Sequence, residues 1–183
     1  LLNLAYETAA LSFDMAKDTG AIKRAARALK ILGRKAGIYG MIGGQTADLE
    51  AESDREISGE RLLFIHENKT AALIQAALMI GAVLAGAGEK EIAAMESAAS
   101  NIGIAFQIQD DILDVTSTEE VLGKPVGSDE RNHKLTYVSL YGLEKAKKEV
   151  KRMSETALTI LSSFENRNEF LEELVKMLIT REK

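Results

Sequence analysis

Residues 89–117 read EKEIAAMESAASNIGIAFQIQDDILDVTS, a stretch without proline. Its apolar side chains recur three and four residues apart, which is the spacing of one face of an α-helix. The stretch therefore predicts a long helix. Its C-terminal part, FQIQDDILD at residues 106–114, places three aspartates on or beside one face of that helix. Because like charges at this spacing repel each other, a positive partner is expected nearby.

The rest of the chain also predicts helices, so the expected fold class is all-α. The sequence contains one proline, Pro125, and no segment alternates strictly between apolar and polar residues as a half-buried strand does. Residues 116–134 are polar and rich in helix breakers, which predicts a loop. The second helix should weaken at Gly43 and Gly44, which we expect to allow close contact with another helix or a partner subunit. The predicted helices cover residues 1–17, 21–52, 58–85, 89–117, 136–163 and 167–181.

Composition favours one globular, cytoplasmic unit without an interdomain linker. Hydrophobic residues make up 46% of the 183 residues, which is enough for a sizeable core. The net charge of −5 argues against a nucleic-acid partner, since backbone binding needs a basic face. The absence of cysteine excludes disulfides and thiolate metal sites. No secretory leader opens the chain, so we expect no secretion.

One apolar segment approaches the length of a membrane span. Residues 70–88, TAALIQAALMIGAVLAGAG, contain Gln75 as their one strongly polar side chain. A bilayer span needs about 20 apolar residues. This segment is mostly alanine and glycine, which suit close helix packing, and it follows the polar sequence HENK. We therefore expect a helix buried at the centre of a bundle, and no membrane span.

The aspartates of FQIQDDILD are candidate metal ligands. On a helix, Gln107, Asp110 and Asp114 share a face. Carboxylates at i and i+4 can both turn toward one hard cation, and Mg²⁺ favours a few carboxylate oxygens with retained waters. Calcium-loop, zinc-protease and P-loop patterns do not fit the sequence. Magnesium is the remaining candidate, and the alternative is an acidic surface patch without a ligand.

A second group of residues is cationic. His66 and Lys69 lie in IHENKT at residues 65–70, and Lys124 and Lys134 flank the glycine-bearing loop after the aspartates. Ammonium groups beside Mg²⁺-binding carboxylates suit a diphosphate, because metal alone leaves this anion under-neutralised. The alternative for each lysine, taken singly, is an ordinary solvated surface position.

Four segments together resemble, in the same order, the trans-type isoprenyl diphosphate synthases. They are GGQTADLEAE (43–52), IHENKT (65–70), FQIQDDILD (106–114) and LGKPVGSDERNHKLTY (122–137). The likeness is nearest to the bacterial short-chain branch that makes farnesyl diphosphate. It implies an isoprenoid-synthase-type helical bundle around a central cavity, normally a homodimer or higher homo-oligomer.

The resemblance covers nearly the whole chain, which would correspond to roughly the C-terminal 60% of an enzyme of about 300 residues. Residues 1–183 would then be the C-terminal part of a single polyprenyl synthase domain that lacks its N-terminal helices. The family's first aspartate-rich motif and its arginine pair do not appear, and Leu135 departs from the usual small polar residue. We expect the chain alone to be inactive, and its bared apolar faces to favour oligomerisation or a retained partner.

The implied reaction is a Mg²⁺-dependent head-to-tail prenyl transfer. Isopentenyl diphosphate would attack the carbocation left by an allylic diphosphate, dimethylallyl or geranyl, to give farnesyl or a similar short-chain diphosphate. Alternatives are a geranylgeranyl or longer product, or a non-catalytic helical subunit of a prenyl synthase. A class I terpene cyclase fits less well, because its second motif needs other residues than Asp110, Asp114 and Thr118 at four-residue steps.

By position, the resemblance assigns the metal to the aspartates. Asp110 would be the direct Mg²⁺ ligand, and Asp111 and Asp114 would hold its waters and the flanking lysines. Thr70 and Gln107 would direct oxygen dipoles at the carbocation during catalysis.

The resemblance assigns the substrates to the lysines and to an aromatic residue. Lys69, Lys124 and Lys134 would bind the allylic diphosphate, and Thr70 lies beside the first of them. Phe106, together with the glutamine that follows it, would line the isopentenyl side.

A polar pair on the second predicted helix completes the set. Gln45 and Asp48 match a pair on the cavity side of the family's fold, and packing between helices is an equal alternative for them.

Overall fold

A computed structural model describes residues 1–52, 58–117 and 135–181 of the chain, the last without the side chains of residues 179 and 180. The described residues form helices and connecting turns and contain no β-strand, which confirms the predicted all-α class. In chain order the elements are α1 (Leu2–Asp14), α2 (Thr19–Ala36), α3 (Met41–Ala51), α4 (Gly59–Ile65), a π-helical turn (His66–Ala71), α5 (Ala72–Ala85), α6 (Glu89–Thr116), α7 (Tyr137–Tyr141), α8 (Leu143–Ser162) and α9 (Glu169–Thr180).

Helix α6 lies at the centre of the described bundle, in contact with α5, the π-helical turn, α7, α8 and α9. It begins where Gly88 N–H donates to the Glu91 carboxylate at 2.7 Å, and this acid also favours the positive end of the helix dipole. Most of its buried apolar residues belong to one core cluster with residues of α8 and α9, whereas Ile92 belongs to a second cluster with Ala28 and Val83. The main members of this core are Ile102, Ile108, Ile112, Val150, Leu161 and Val175.

The predicted helix over 21–52 is wrong as one continuous element. The chain leaves the helical path at Gly37, and α3 begins at Met41. A Cβ on Gly40 would lie 2.0 Å from the Lys35 carbonyl oxygen, so this turn folds back more tightly than any side chain would permit. Gly43 and Gly44, where the helix was expected to weaken, instead lie inside α3.

Residues 59–85 are helical throughout, as predicted, but with an internal change of pitch. Ser58 caps the start by accepting the Arg61 N–H at 3.2 Å, and Gly86 ends it in a left-handed conformation with φ of 87°. Between them the π-helical turn widens the helix locally, a feature that sequence periodicity does not reveal.

The same helix tests the expectation for the apolar segment. By length and composition, Gly59–Ala85 is long and apolar enough to cross a membrane. In the structure it packs between α2 and α6, but only 28% of its most apolar window is buried, and Leu73 and Leu84 are exposed. The helix therefore packs within the bundle as expected, but much of its apolar surface is exposed among the described residues.

The predicted helix over 136–163 is two helices. Thr136 caps α7 by accepting the Ser139 N–H at 3.1 Å, and Gly142, with φ of 82°, turns the chain before α8 begins. The last predicted helix is observed as α9, which is capped by Asn168. The first is shorter than predicted, since α1 ends at Asp14.

Apolar surface remains exposed along α1, α2 and α5. No residue of α1 is buried, and it packs against α2. A groove of about 560 Å³ runs between these helices and is lined by apolar side chains that include Leu1, Leu4, Leu32, Ile80 and Leu84. This agrees with the expectation of bared apolar faces, while the expected oligomer stays a prediction.

Candidate functional site

The π-helical turn and α6 lie in backbone contact. A Cβ on Gly103 would lie 2.4 Å from the Cα of Ala71, so glycine is needed at this crossing. The approach brings the IHENKT and FQIQDDILD motifs side by side, with His66 Nε2 at 3.9 Å from Asp111 Oδ2. The two motifs are separated in sequence by α5 and the first part of α6, and they lie next to each other in the structure.

Helix α3 approaches the same turn from another side. A Cβ on Gly44 would lie 2.2 Å from the backbone nitrogen of Lys69, so this member of the glycine pair allows the close contact, whereas a Cβ on Gly43 would meet the Ile38 carbonyl oxygen. One turn further along α3, the buried Asp48 carboxylate forms an ion pair and hydrogen bond with the Lys69 ammonium. Gln45, its expected companion, is exposed. The lysine assigned to the diphosphate is therefore held by a buried acid.

Of the three aspartates, Asp110 is the half-exposed one. Gln107 Nε2–H donates to Asp110 Oδ2 at 3.1 Å, as their helical spacing predicts. The guanidinium of Arg181, just beyond α9, forms an ion pair and hydrogen bond with Asp110 Oδ1. This carboxylate therefore already attracts a cation.

Asp111 and Asp114 are buried. Asp111 Oδ2 accepts the Tyr137 backbone N–H at 2.7 Å, so this carboxylate docks the start of α7 onto α6. Burial also raises the pKa of the Tyr137 phenol, as expected for a side chain held in the core. Among the described residues, no group of three or more His, Cys, Asp or Glu side chains is placed to hold a metal. The metal roles of these two aspartates stay predictions.

Arg181 is the site residue that the sequence analysis missed. Its guanidinium carbon lies 3.8 Å from the ring centroid of Phe106, a cation–π contact, and its carbonyl accepts from Gln109 Nε2 at 3.4 Å. It lies 71 residues after Asp110, outside every motif. No local spacing links the two positions, so the sequence carried no signal for this pair.

The remaining predicted residues divide into two groups. Thr70 and Phe106 are half-buried, the first beside Lys69 on the π-helical turn and the second on α6. Lys124 and Lys134 lie outside the described residues, and their roles stay predictions.

A separate basic cavity is lined mainly by side chains of α2. It has a volume of about 830 Å³ and lies between α2, α5 and α6. Lys35, on its wall, donates to Glu96 at 2.6 Å and also bonds Gln75. None of the residues assigned to metal or substrate that the structure describes lines this cavity, so it is distinct from the region where the IHENKT and FQIQDDILD motifs meet.

The chain belongs to the polyprenyl synthetase family, whose model matches residues 3–178. This confirms the resemblance of the four motifs. Among solved structures, the geranyltransferase of Helicobacter pylori, crystallised with magnesium and isoprenyl diphosphate, superposes with a TM-score of 0.75 at 31% identity. The match covers 97% of this chain and 56% of that one.

Curated relatives agree on the family and differ in product. Farnesyl diphosphate synthase of Bacillus subtilis is 44% identical over 147 residues, which cover 80% of this chain and 49% of that protein. Geranylgeranyl diphosphate synthase of Cyanophora paradoxa is 45% identical over 128 residues, which cover 70% of this chain and 43% of that protein. The chain thus spans about half the length of the curated relatives it matches.

Proposed function

We propose that residues 1–183 are the C-terminal part of a single polyprenyl synthase domain, and that the whole protein joins isopentenyl diphosphate to an allylic diphosphate. The observation that carries the proposal is the placement of Lys69 and Asp110 on two elements in backbone contact. One presents an ammonium group for a diphosphate, and the other presents a carboxylate for a cation. Family membership and the magnesium and isoprenyl diphosphate in the H. pylori structure support this assignment.

The residues present fit Mg²⁺. The Asp110 carboxylate already attracts a guanidinium cation, and its half-exposed position leaves room for the waters that Mg²⁺ retains. We assign Asp110 as the direct ligand, with Asp111 and Asp114 acting through waters or lysines. When bound, the ion supplies positive charge that stabilises the departing diphosphate.

The chain's own side chains then have distinct tasks. Lys69 binds the allylic diphosphate, helped by Lys124 and Lys134. Thr70 and Gln107 direct oxygen dipoles toward the developing positive charge on the allylic carbon, where fixed dipoles are most effective in a site that excludes water. Phe106 lines the isopentenyl side with an apolar ring.

We infer farnesyl diphosphate or a similar short-chain product, formed in the cytoplasm by a homodimer or higher homo-oligomer. The B. subtilis relative supports this product, and the C. paradoxa relative favours geranylgeranyl diphosphate as the second candidate. We place the apolar helix Gly59–Ala85 in the bundle and not in a membrane, because it packs against α2 and α6.

The test is product analysis of the protein expressed as fully encoded, with any sequence that precedes these residues. Incubation with isopentenyl and dimethylallyl diphosphates and Mg²⁺ should yield a prenyl diphosphate, and the chain length identifies which candidate is correct. The 183-residue chain alone should be inactive in the same assay. A folded full protein that forms no product with dimethylallyl or geranyl diphosphate would refute the catalytic proposal in favour of a non-catalytic subunit.

A further inference from the structure

We propose that Asp48 is a positioning residue for Lys69, and that α3 serves to hold the lysine's ammonium group at the edge of the site. The inference rests on the proposed role of Lys69 in diphosphate binding. It assigns a specific task to the GGQTAD segment, for which the family resemblance left open a role in the site or helix packing.

The first support is the close approach of the two backbones. At Gly44 a Cβ would lie 2.2 Å from the Lys69 nitrogen and 2.6 Å from the Asn68 carbonyl carbon. Asp48 follows four residues later and therefore lies on the same face of α3. Any larger residue at Gly44 would push α3 away from the π-helical turn and separate the carboxylate from the ammonium group.

The second support is the unequal burial of the pair. The Asp48 side chain is 9% exposed and the Lys69 side chain is 26% exposed. A buried carboxylate needs a charged or hydrogen-bonding partner, so Asp48 is tied to the lysine. The lysine has three ammonium donors, and binding Asp48 through one leaves two for the oxygens of an anion. A flexible side chain is thereby held in one orientation before the ligand arrives.

The third support is the geometry of the turn itself. A π-helical turn takes more residues per turn than an α-helix, and it changes the direction in which Lys69 leaves the backbone. The lysine is thereby directed toward α3, where its ammonium group meets the Asp48 carboxylate. The carboxylate that meets it comes from 21 residues earlier, which is a tertiary contact and not a property of the turn.

The test is a double-mutant cycle that measures inorganic diphosphate binding by calorimetry in the presence of Mg²⁺, on the fully encoded protein. Asp48→Asn keeps the shape and removes the charge. It should weaken diphosphate binding about tenfold, the loss typical when a residue that orients a binding group is removed. Lys69→Met should weaken binding at least as much, and Asp48→Asn should add nothing further in that background. Thr46→Ala, an exposed change on the same helix, is the matched control and should leave binding unchanged.

The outcomes separate the inference from the function on which it rests. If Lys69→Met weakens diphosphate binding, the lysine's role stands. The positioning role is then refuted if Asp48→Asn leaves the affinity unchanged, increases it, or causes a further loss in the Lys69→Met background. Tighter binding by Asp48→Asn would identify the carboxylate as a competitor of the ligand. If Lys69→Met has no effect, both the lysine's role and the inference are wrong.

A second variant covers the case in which Asp48→Asn does not fold. Asp48→Glu keeps the charge and moves it by one methylene group, so it should fold and lose diphosphate affinity by a smaller factor than Asp48→Asn. In the steady state it should raise KM for the allylic diphosphate more than it lowers kcat. Unchanged affinity and unchanged KM in folded Asp48→Glu would refute the positioning role.

Discussion

Two ion pairs each hold one predicted site residue, Lys69 in the first and Asp110 in the second, and the two pairs are opposite in burial. In the Asp48–Lys69 pair the acid is the more buried member, with 9% side-chain exposure against 26% for the lysine. In the Asp110–Arg181 pair the acid is the more exposed member, with 45% exposure against 22% for the arginine. The first pair therefore presents a cation, and the second presents an anion.

The difference indicates what each pair can bind. A lysine held by a buried acid is oriented toward an oxyanion, whereas a carboxylate beside a partly buried guanidinium stays accessible to a metal ion. Their supports differ as well. The first pair rests on backbone contact at Gly44, and the second is made by a residue just after α9. Because the Asp110 side chain is 45% exposed, a cation from solvent can reach its carboxylate and compete with Arg181.

The largest expected effect comes from removing the accessible carboxylate. Asp110→Ala in the fully encoded protein should reduce turnover about a hundredfold or more, since it deletes a group that acts where charge develops. The melting temperature should change little, because a half-exposed side chain contributes little to the core. Steady-state kinetics and thermal melting followed by circular dichroism measure the two quantities.

The matched control for that variant is Glu173→Ala, which removes an exposed acid from α9 and should alter neither quantity. A loss of melting temperature without a loss of turnover would show that Asp110 serves the fold and not the metal.

Substitution of Lys69, the lysine of the first pair, should weaken substrate binding and also lower stability. Lys69→Met should raise KM for the allylic diphosphate about thirtyfold, which corresponds to about 2 kcal/mol for a lost charged hydrogen bond. It should also lower the free energy of unfolding, because it leaves the Asp48 carboxylate buried without this partner. Kinetics and denaturant titration measure the two effects, and a variant with unchanged KM would contradict the diphosphate role.

The same comparison explains what sequence alone could establish. The bounds of α6 were predictable because apolar residues recur along it at helical spacing without a proline, and the prediction of residues 89–117 agrees with Glu89–Thr116. The break between α2 and α3 was not predictable, because it is caused by a tight turn that brings Gly40 against the Lys35 backbone. A tight turn of this kind is visible only in three dimensions.

The candidate site divides in the same way. Gln107 and Asp110 are three residues apart, and their helical spacing was enough to predict contact. The partners of Lys69 and Asp110 lie 21 and 71 residues away, on elements whose approach depends on packing. Burial of Asp111 and its bond to the Tyr137 backbone were equally non-local, so the spacing of the three aspartates did not predict which of them are buried.

A smaller effect is expected from removing the guanidinium of the second pair. Arg181→Gln should tighten binding of a divalent cation about fivefold, because it removes a competing charge from a partly exposed carboxylate. Titration with Mn²⁺, followed by electron paramagnetic resonance, measures the affinity without any need for turnover. Arg27→Gln, which alters an exposed pair with Glu89, is the control and should leave the affinity unchanged. Weaker metal binding by Arg181→Gln would mean that the arginine helps to form the metal site.

The smallest effect concerns salt, and it tests directly whether the two pairs differ in accessibility. Because exposed charges are screened and buried ones much less so, raising the ionic strength to about 1 M should reduce the advantage of Arg181→Gln in metal affinity to less than about twofold. The loss of folding free energy in Lys69→Met should persist under the same conditions, since its cause is a buried carboxylate. Parallel titrations at low and high salt measure both. High salt could instead abolish the loss of folding free energy in Lys69→Met and leave the gain in metal affinity in Arg181→Gln intact. Asp48 would then be the accessible carboxylate and Asp110 the buried one, the reverse of the present assignment.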